Sequence, residues 1–268
     1  MSTHRNPSTG GSLRGLLSSA SSPPIGLFVK IPAPEVVEMV ATVGYDFVII
    51  DTEHALLSVR DVYAMAVLYA SLGVHPLVRV PDHGYGDAQR YLDAGVAGLL
   101  FPHVNDAAEA RTIATHLTFP PAGTRGMGFG SRAGRWGLLE GGREEYLRVG
   151  DEEVLRVAMV EEAGAVEDVA AIASVPGIDA VFVGPSDLAL SMGRDAAAET
   201  VATMVDRAIE AAVAAGTPVG TMASSPDAAK RRADQGCSFL VAGNDTGILA
   251  RALKRSVDDI RAGLETPR

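Results

Sequence analysis

Cysteine, tryptophan and lysine are scarce in this sequence: one Cys, one Trp and three Lys among 268 residues. One cysteine excludes an intrachain disulfide and any Cys-rich zinc site. Cys237 opens an apolar run and reads as a core filler rather than a nucleophile. Aromatic residues make up only 5%, too few for the stacking platforms of a sugar-binding cleft. No apolar run approaches the ~20 residues of a membrane span, and the N-terminus has no signal-peptide core. No membrane partner is therefore expected, and a cytoplasmic location is. A net charge of −10 argues against a nucleic-acid or anionic-membrane surface. Small anionic substrates stay possible, because a few arginines or a metal can reverse the local field.

What the chain does have is apolar residues (47%), 29 glycines and a rhythm. Residues 1–22, rich in Ser and Gly and ending in Ser21-Ser22-Pro23-Pro24, read as an arm outside the fold. From residue 23 to 268 the chain reads as one domain. Short apolar runs begin near residues 25, 47, 76, 97, 155, 180, 218 and 239, and each is followed by a helical pattern. Ser58, Asp106 and Ser225 stand where N-caps are expected, and prolines 34 and 226 stand in first turns. Eight strand-then-helix units over this length predict an α/β fold, a (β/α)8 barrel. The competing open, doubly wound sheet would carry a Gly-rich turn after its first strand. Lys30-Ile31-Pro32-Ala33 is not one.

One segment breaks the rhythm. Residues 118–153 show no clear period and hold Arg125, Arg132, Arg135 and Trp136. A stretch this long inside a compact domain is usually functional, as a lid or a subunit contact.

Chemistry collects at the ends of the apolar runs. Phe47-Val48-Ile49-Ile50 stops in Asp51-Thr52-Glu53-His54. Other runs stop at Lys30, Arg79, His103, Glu161 and Asp187. In a barrel these positions share one face, the face that carries active sites. Glu161 and Asp187 end adjacent strands, and two hard oxygen donors suit Mg²⁺, Mn²⁺ or Co²⁺. The turn Gly184-Pro185-Ser186-Asp187 can offer the backbone N–H groups of Ser186 and Asp187 to a carboxylate.

Asp51-Thr52-Glu53-His54, Arg79-Val80-Pro81, Gly123-Thr124-Arg125-Gly126 and Gly184-Pro185-Ser186-Asp187-Leu188, in this order, resemble the HpcH/HpaI aldolases. These are metal-dependent pyruvate aldolases on a (β/α)8 barrel. The resemblance implies that Glu161 and Asp187 bind the divalent metal. It implies that Arg79 holds the keto oxygen and that His54, oriented by Asp51, acts as base through a metal-bound water. Gly184, Pro185, Ser186 and Asp187 would receive the carboxylate of a 2-keto acid, with an aldehyde as second partner. It further implies a homo-oligomer, a hexamer built as a dimer of trimers, with Arg125, Arg132 and Trp136 at a subunit boundary.

The chain departs from the family pattern in one place. Met159 stands where the family usually has Gln, and His103 where it commonly has Met. We therefore expect His103 to replace the lost polar contact beside the substrate. The departure keeps other readings open: a metal-dependent 2-keto acid decarboxylase, an acyl-CoA lyase, or a keto-acid-binding homologue without turnover. A Schiff-base aldolase using Lys30 is a further rival.

Overall fold

The computed structural model describes residues 12–19, 21–82 and 84–265. Its strands are β1 (Ile25–Val29), β2 (Phe47–Asp51), β3 (His75–Arg79), β4 (Gly98–Phe101), β5 (Leu155–Val160), β6 (Ala180–Val183), β7 (Val219–Met222) and β8 (Phe239–Asn244). All pair in parallel, each with its sequence neighbours, and β8 closes on β1. The fold is a closed (β/α)8 barrel, as the strand rhythm predicts.

The helices are α1 (Leu13–Ser19), α2 (Pro34–Val43), α3 (Val59–Ser71), α4 (Tyr85–Asp93), α5 (Ala107–Leu117), α6 (Gly142–Glu152), α7 (Val169–Ala173), α8 (Pro185–Ser191), α9 (Ala198–Ala214), α10 (Pro226–Asp234) and α11 (Asp245–Glu265). Their starts are fixed by side chains. Ser58 and Asp61 form a reciprocal capping box at α3, Asp106 accepts from two amides of α5, and Ser225 accepts from the Ala228 amide at α10.

The strand pleat divides the apolar residues into two cores. Outward-facing side chains such as Val48, Ile50, Val78 and Leu99 pack under the helices. Inward-facing ones, among them Phe47, Ile49, Leu77, Val157, Phe182 and Phe239, fill the barrel axis. A Cβ on Gly26 or Gly220 would collide with the ring of Phe47 or Phe239, so these glycines make room for the aromatic layer.

Two expectations change here. The arm expected over residues 1–22 contains α1, and Leu13 of that helix is buried. Leu13, Leu16 and Leu17 pack against the inward-facing core, where Leu13 and Leu17 meet Phe47, Leu100 and Leu155 at the barrel floor. Burying one leucine contributes about 1.5–3 kcal/mol towards docking this short helix on the barrel. Residues 1–11 lie outside the described residues. The segment 118–153 is not all loop either, because α6 occupies its second half and buries Tyr146 and Gly150. Its mean composition is polar and only Tyr146 supplies a large buried side chain, so periodicity did not reveal it.

Candidate active site

The same pleat that builds the inner core carries the polar residues into the mouth. Phe47 and Ile49 point inward on β2, so Asp51 does too. Leu77 does the same for Arg79, and Val157 and Met159 for Glu161. Asp51 and Arg79 are register partners across β2 and β3, which sets them side by side.

Their contact is bidentate. Arg79 Nε donates to Asp51 Oδ1 at 3.0 Å and Nη2 to Oδ2 at 2.7 Å. The third guanidinium nitrogen, Nη1, lies 3.0 Å from Glu53 Oε2, and the Phe28 ring centroid is 4.8 Å from Cζ. Lys30 Nζ reaches Asp51 Oδ2 at 3.1 Å. Burial pushes the Asp51 carboxyl up, but the hydrogen bond and charge of Arg79, the His54 amide and Lys30 outweigh it. The net effect holds Asp51 below the ordinary Asp range. Arg79 is thus a fixed cation, clamped from one side and open to the cavity on another.

Glu161 has the opposite character. Its Oε1 accepts from the His103 backbone N–H at 2.9 Å. Its Oε2 is buried and accepts from no group among the described residues. Burial raises this carboxyl to about 7, opposed by the His103 amide and imidazole and reinforced by the charges of Asp187 and Glu53. Gly184 is what leaves space for it, since a Cβ there would stand 2.9 Å from Oε2. An orphaned buried carboxylate oxygen beside a second acid is the donor set that a hard divalent cation satisfies. Among the described residues no three His, Cys, Asp or Glu side chains converge as ligands. Two carboxylates would leave a cation's other positions to water and substrate.

A cavity of 170 Å³ opens beside these groups. It is lined by Lys30, Asp51, His54, Arg79, Met159, Gly184, Pro185, Ser186 and Asp187, together with Phe28, Phe182, Met222 and Asn244. The first helical bond of α8 runs from the Leu188 N–H to the Gly184 carbonyl. The N–H groups of Ser186 and Asp187 precede it and, as first-turn amides, have no acceptor within the helix.

Two residues sit differently from expectation. Asp51 does not orient the His54 imidazole: it accepts only the His54 backbone N–H, at 3.2 Å, because its carboxylate is committed to Arg79 and Lys30. The imidazole has Glu53 as neighbour instead, with Nε2 3.6 Å from Oε2. His103 does not replace a contact beside Met159. Its imidazole lies among acids, 3.3 Å from Glu53 Oε1 and 3.5 Å from both Glu161 Oε1 and Glu162 Oε1, and it is absent from the cavity lining. A left-handed backbone at His103 (φ 53°) aims its N–H at Glu161 and swings the ring that way.

Glu53 is the residue that sequence reasoning undervalued. It touches Arg79, His54 and His103, although its place in Asp51-Thr52-Glu53-His54 was already a signal. Asp245 was missed as well. Its Oδ2 accepts the amides of Lys30 and Ile31, both at 2.9 Å, and so fixes the loop that carries Lys30. Arg125 is turned inward, bonded to the Gly150 carbonyl and stacked on Phe119, whereas Arg132 is half-buried and Trp136 exposed.

What this mouth offers a reaction is fixed positive charge next to hard carboxylates, the equipment of a barrel lyase that works on carbon–carbon bonds. The family model for HpcH/HpaI aldolase/citrate lyase matches residues 24–252. A hydroxypyruvate/pyruvate aldolase of Delftia acidovorans is 34% identical over 245 residues, covering 90% of each chain. A 2-keto-3-deoxy-L-rhamnonate aldolase of Klebsiella pneumoniae is 35% identical over 245 residues, again 90% of each. A solved structure of a family protein from Burkholderia cenocepacia aligns with a TM-score of 0.85 and 32% identity, over 93% of this chain and 98% of that one. The chain belongs to the HpcH/HpaI aldolase/citrate lyase family.

Proposed function

We infer that this protein is a divalent-metal-dependent aldolase that cleaves or forms a C–C bond next to the enolate of pyruvate or a related 2-keto acid. The observation that carries the reading is Glu161 Oε2, buried and unpartnered beside Asp187, within a mouth that also holds a clamped Arg79. Glu161 and Asp187 would hold Mg²⁺, Mn²⁺ or Co²⁺, and the cation when bound supplies Lewis acidity to the keto oxygen.

The chain's own residues do the rest. The Ser186 and Asp187 amides receive the substrate carboxylate, beside Gly184 and Pro185. Arg79 stands ready for negative charge on the keto oxygen, and the Asp51 clamp means it need not reorient as that charge develops. His54, half-exposed at the rim, takes the hydroxyl proton in cleavage and returns it in condensation. Glu53 rather than Asp51 is the carboxylate placed to steady that imidazole. Met159, Phe28 and Phe182 give the cavity an apolar wall that keeps water from the carbanion. The relatives' names favour hydroxypyruvate, pyruvate and 2-keto-3-deoxy sugar acids as the substrate class.

Lys30 is ion-paired to Asp51, which argues against a Schiff-base route. The two routes separate cleanly by experiment. EDTA should abolish cleavage, added Mn²⁺ or Mg²⁺ should restore it, and borohydride with pyruvate should leave the protein's mass unchanged. A borohydride-trapped adduct with EDTA-resistant activity would overturn the reading.

Assembly into a homo-oligomer, with a hexamer as the family expectation, has its own support. In α11 every side chain from Ile248 to Leu264 is exposed, and Leu249, Leu253, Val257, Ile260 and Leu264 recur at helical spacing. Such a stripe is covered by a second copy of the chain. Replacing Leu253 and Ile260 together with aspartate should lower the particle mass in light scattering. An unchanged mass would refute this. No helix among the described residues is long and apolar enough to cross a membrane.

A further inference from the structure

Lys30 and Asn244 both line the mouth, and neither is needed to hold the keto acid. They are neighbours in the barrel. Asn244 of β8 is the register partner of Phe28 on β1, and Lys30 follows Phe28 by two residues on the same inward side. In the closed ring β1 lies halfway round from β5, the strand that Glu161 follows. The two residues therefore face the mouth from across the carboxylate pair, on the side left for a second reactant.

Each is held in place and has a donor in reserve. Asn244 accepts through Oδ1 from the Gly247 N–H at 2.7 Å and from the Thr246 hydroxyl at 2.9 Å. A backbone N–H needs an oxygen as acceptor, so these bonds fix which end of the carboxamide is which. The other end, the Nδ2 amino group, donates to nothing among the described residues. The backbone N–H groups of Lys30 and Ile31 both donate to Asp245 Oδ2 at 2.9 Å, which anchors the Lys30 loop. The Lys30 ammonium carries three N–H groups, and its one charged partner among the described residues is Asp51, 3.1 Å away. That carboxylate already serves Arg79 through both of its oxygens. Lys30 thus keeps donors, and part of its charge, for the cavity.

The surrounding charge selects the ligand. Asp51, Glu53, Glu161 and Asp187 stand against Lys30 and Arg79. A divalent cation would bring these charges into balance, and the carboxylate of a keto acid would tip them negative. A second anion is disfavoured there, whereas a neutral oxygen that accepts two hydrogen bonds is not. We propose that Lys30 and Asn244 are specificity-determining residues that bind the acceptor aldehyde by a hydroxyl next to its carbonyl carbon, with Lys30 Nζ and Asn244 Nδ2 donating to that oxygen. The inference rests on the aldolase reading and assigns the other half of the substrate: a hydroxyaldehyde in preference to an alkyl aldehyde. An alkyl aldehyde leaves both donors unpaired, which is the source of the discrimination.

Glycolaldehyde and propanal differ by one hydroxyl against one methyl, so they read this contact directly. With pyruvate and Mn²⁺, the parent should condense glycolaldehyde with kcat/KM about 10²-fold above that for propanal. Lys30→Met should lower this preference about tenfold. Asn244→Asp, which keeps the Oδ1 acceptor at the start of α11, should lower it as well. The ratio is the readout for two reasons. Aldehyde hydration cancels between variant and parent, and a lysine that merely steadied Asp51 and Arg79 would slow both aldehydes alike. A ratio unchanged in either variant would overturn the proposal. So would a parent that favours glyoxylate over glycolaldehyde and loses that preference in Lys30→Met, since the donors would then hold an anion. Pyruvate proton exchange by the parent needs no acceptor and separates the two levels. Exchange without a preference for glycolaldehyde overturns this assignment alone, and absence of exchange overturns the aldolase reading with it.

Discussion

Arg79→Lys should lower kcat for cleavage of a 2-keto acid aldol by about 10²–10³-fold, with a smaller change in KM. The reason is geometric rather than a matter of charge. Three nitrogens of the guanidinium are used at once, two on Asp51 and one facing Glu53, and the plane is backed by Phe28. An ammonium can keep one of these contacts but not all of them, so the positive charge is no longer held where the keto oxygen becomes negative. Preorganisation is lost although net charge is kept. Steady-state kinetics decide the matter. A raised KM with kcat intact would mean that Arg79 binds the ground state only.

Glu161→Gln should have two effects of opposite sign. Divalent cations should no longer raise the melting temperature, because half of the carboxylate pair is gone. Without metal, however, the variant should melt higher than the parent at pH 8. Burial raises the Glu161 carboxyl from 4.5 to about 7, so the folded chain holds this proton more tightly than the unfolded chain does. Stability from this group is undiminished below about pH 4.5, falls as pH rises towards 7, and stays reduced above it. Glutamine cannot ionise and escapes that loss. The gap in melting temperature should therefore open between pH 5 and pH 8, at about 2–4 °C per kcal/mol for a chain of this size. Thermal scans of the metal-free proteins at both pH values check it. A lower melting temperature for the variant at pH 8 would contradict the assigned environment of Glu161.

Much of this architecture was legible before any coordinates. Strand positions could be read because a strand buried on both faces needs an unbroken apolar run, as in Phe47-Val48-Ile49-Ile50. Position alone also placed Asp51, Arg79 and Glu161 near the mouth, since two-residue periodicity carries polar side chains inward just past the core. Pairing was harder to read. Asp51 and His54 are close in sequence, yet the Asp51 carboxylate goes to Arg79, 28 residues away, because strand register sets them side by side. His103 was misplaced for a related reason: its left-handed backbone redirects the ring towards Glu53 and Glu161, and no sequence pattern signals that turn. Helix α1 escaped notice because seven residues with three leucines carry too little pattern to stand out from a Ser-rich arm.

The whole account rests on a mouth that can stabilise the carbanion of a keto acid with help from a cation held by Glu161 and Asp187. Exchange of the pyruvate methyl protons for deuterium, followed by proton NMR, tests this without knowledge of the aldehyde. The account predicts exchange that requires Mn²⁺ or Mg²⁺, stops with EDTA and is absent in Glu161→Gln. Exchange that continues in EDTA, or at parental rate in Glu161→Gln with metal present, would contradict it.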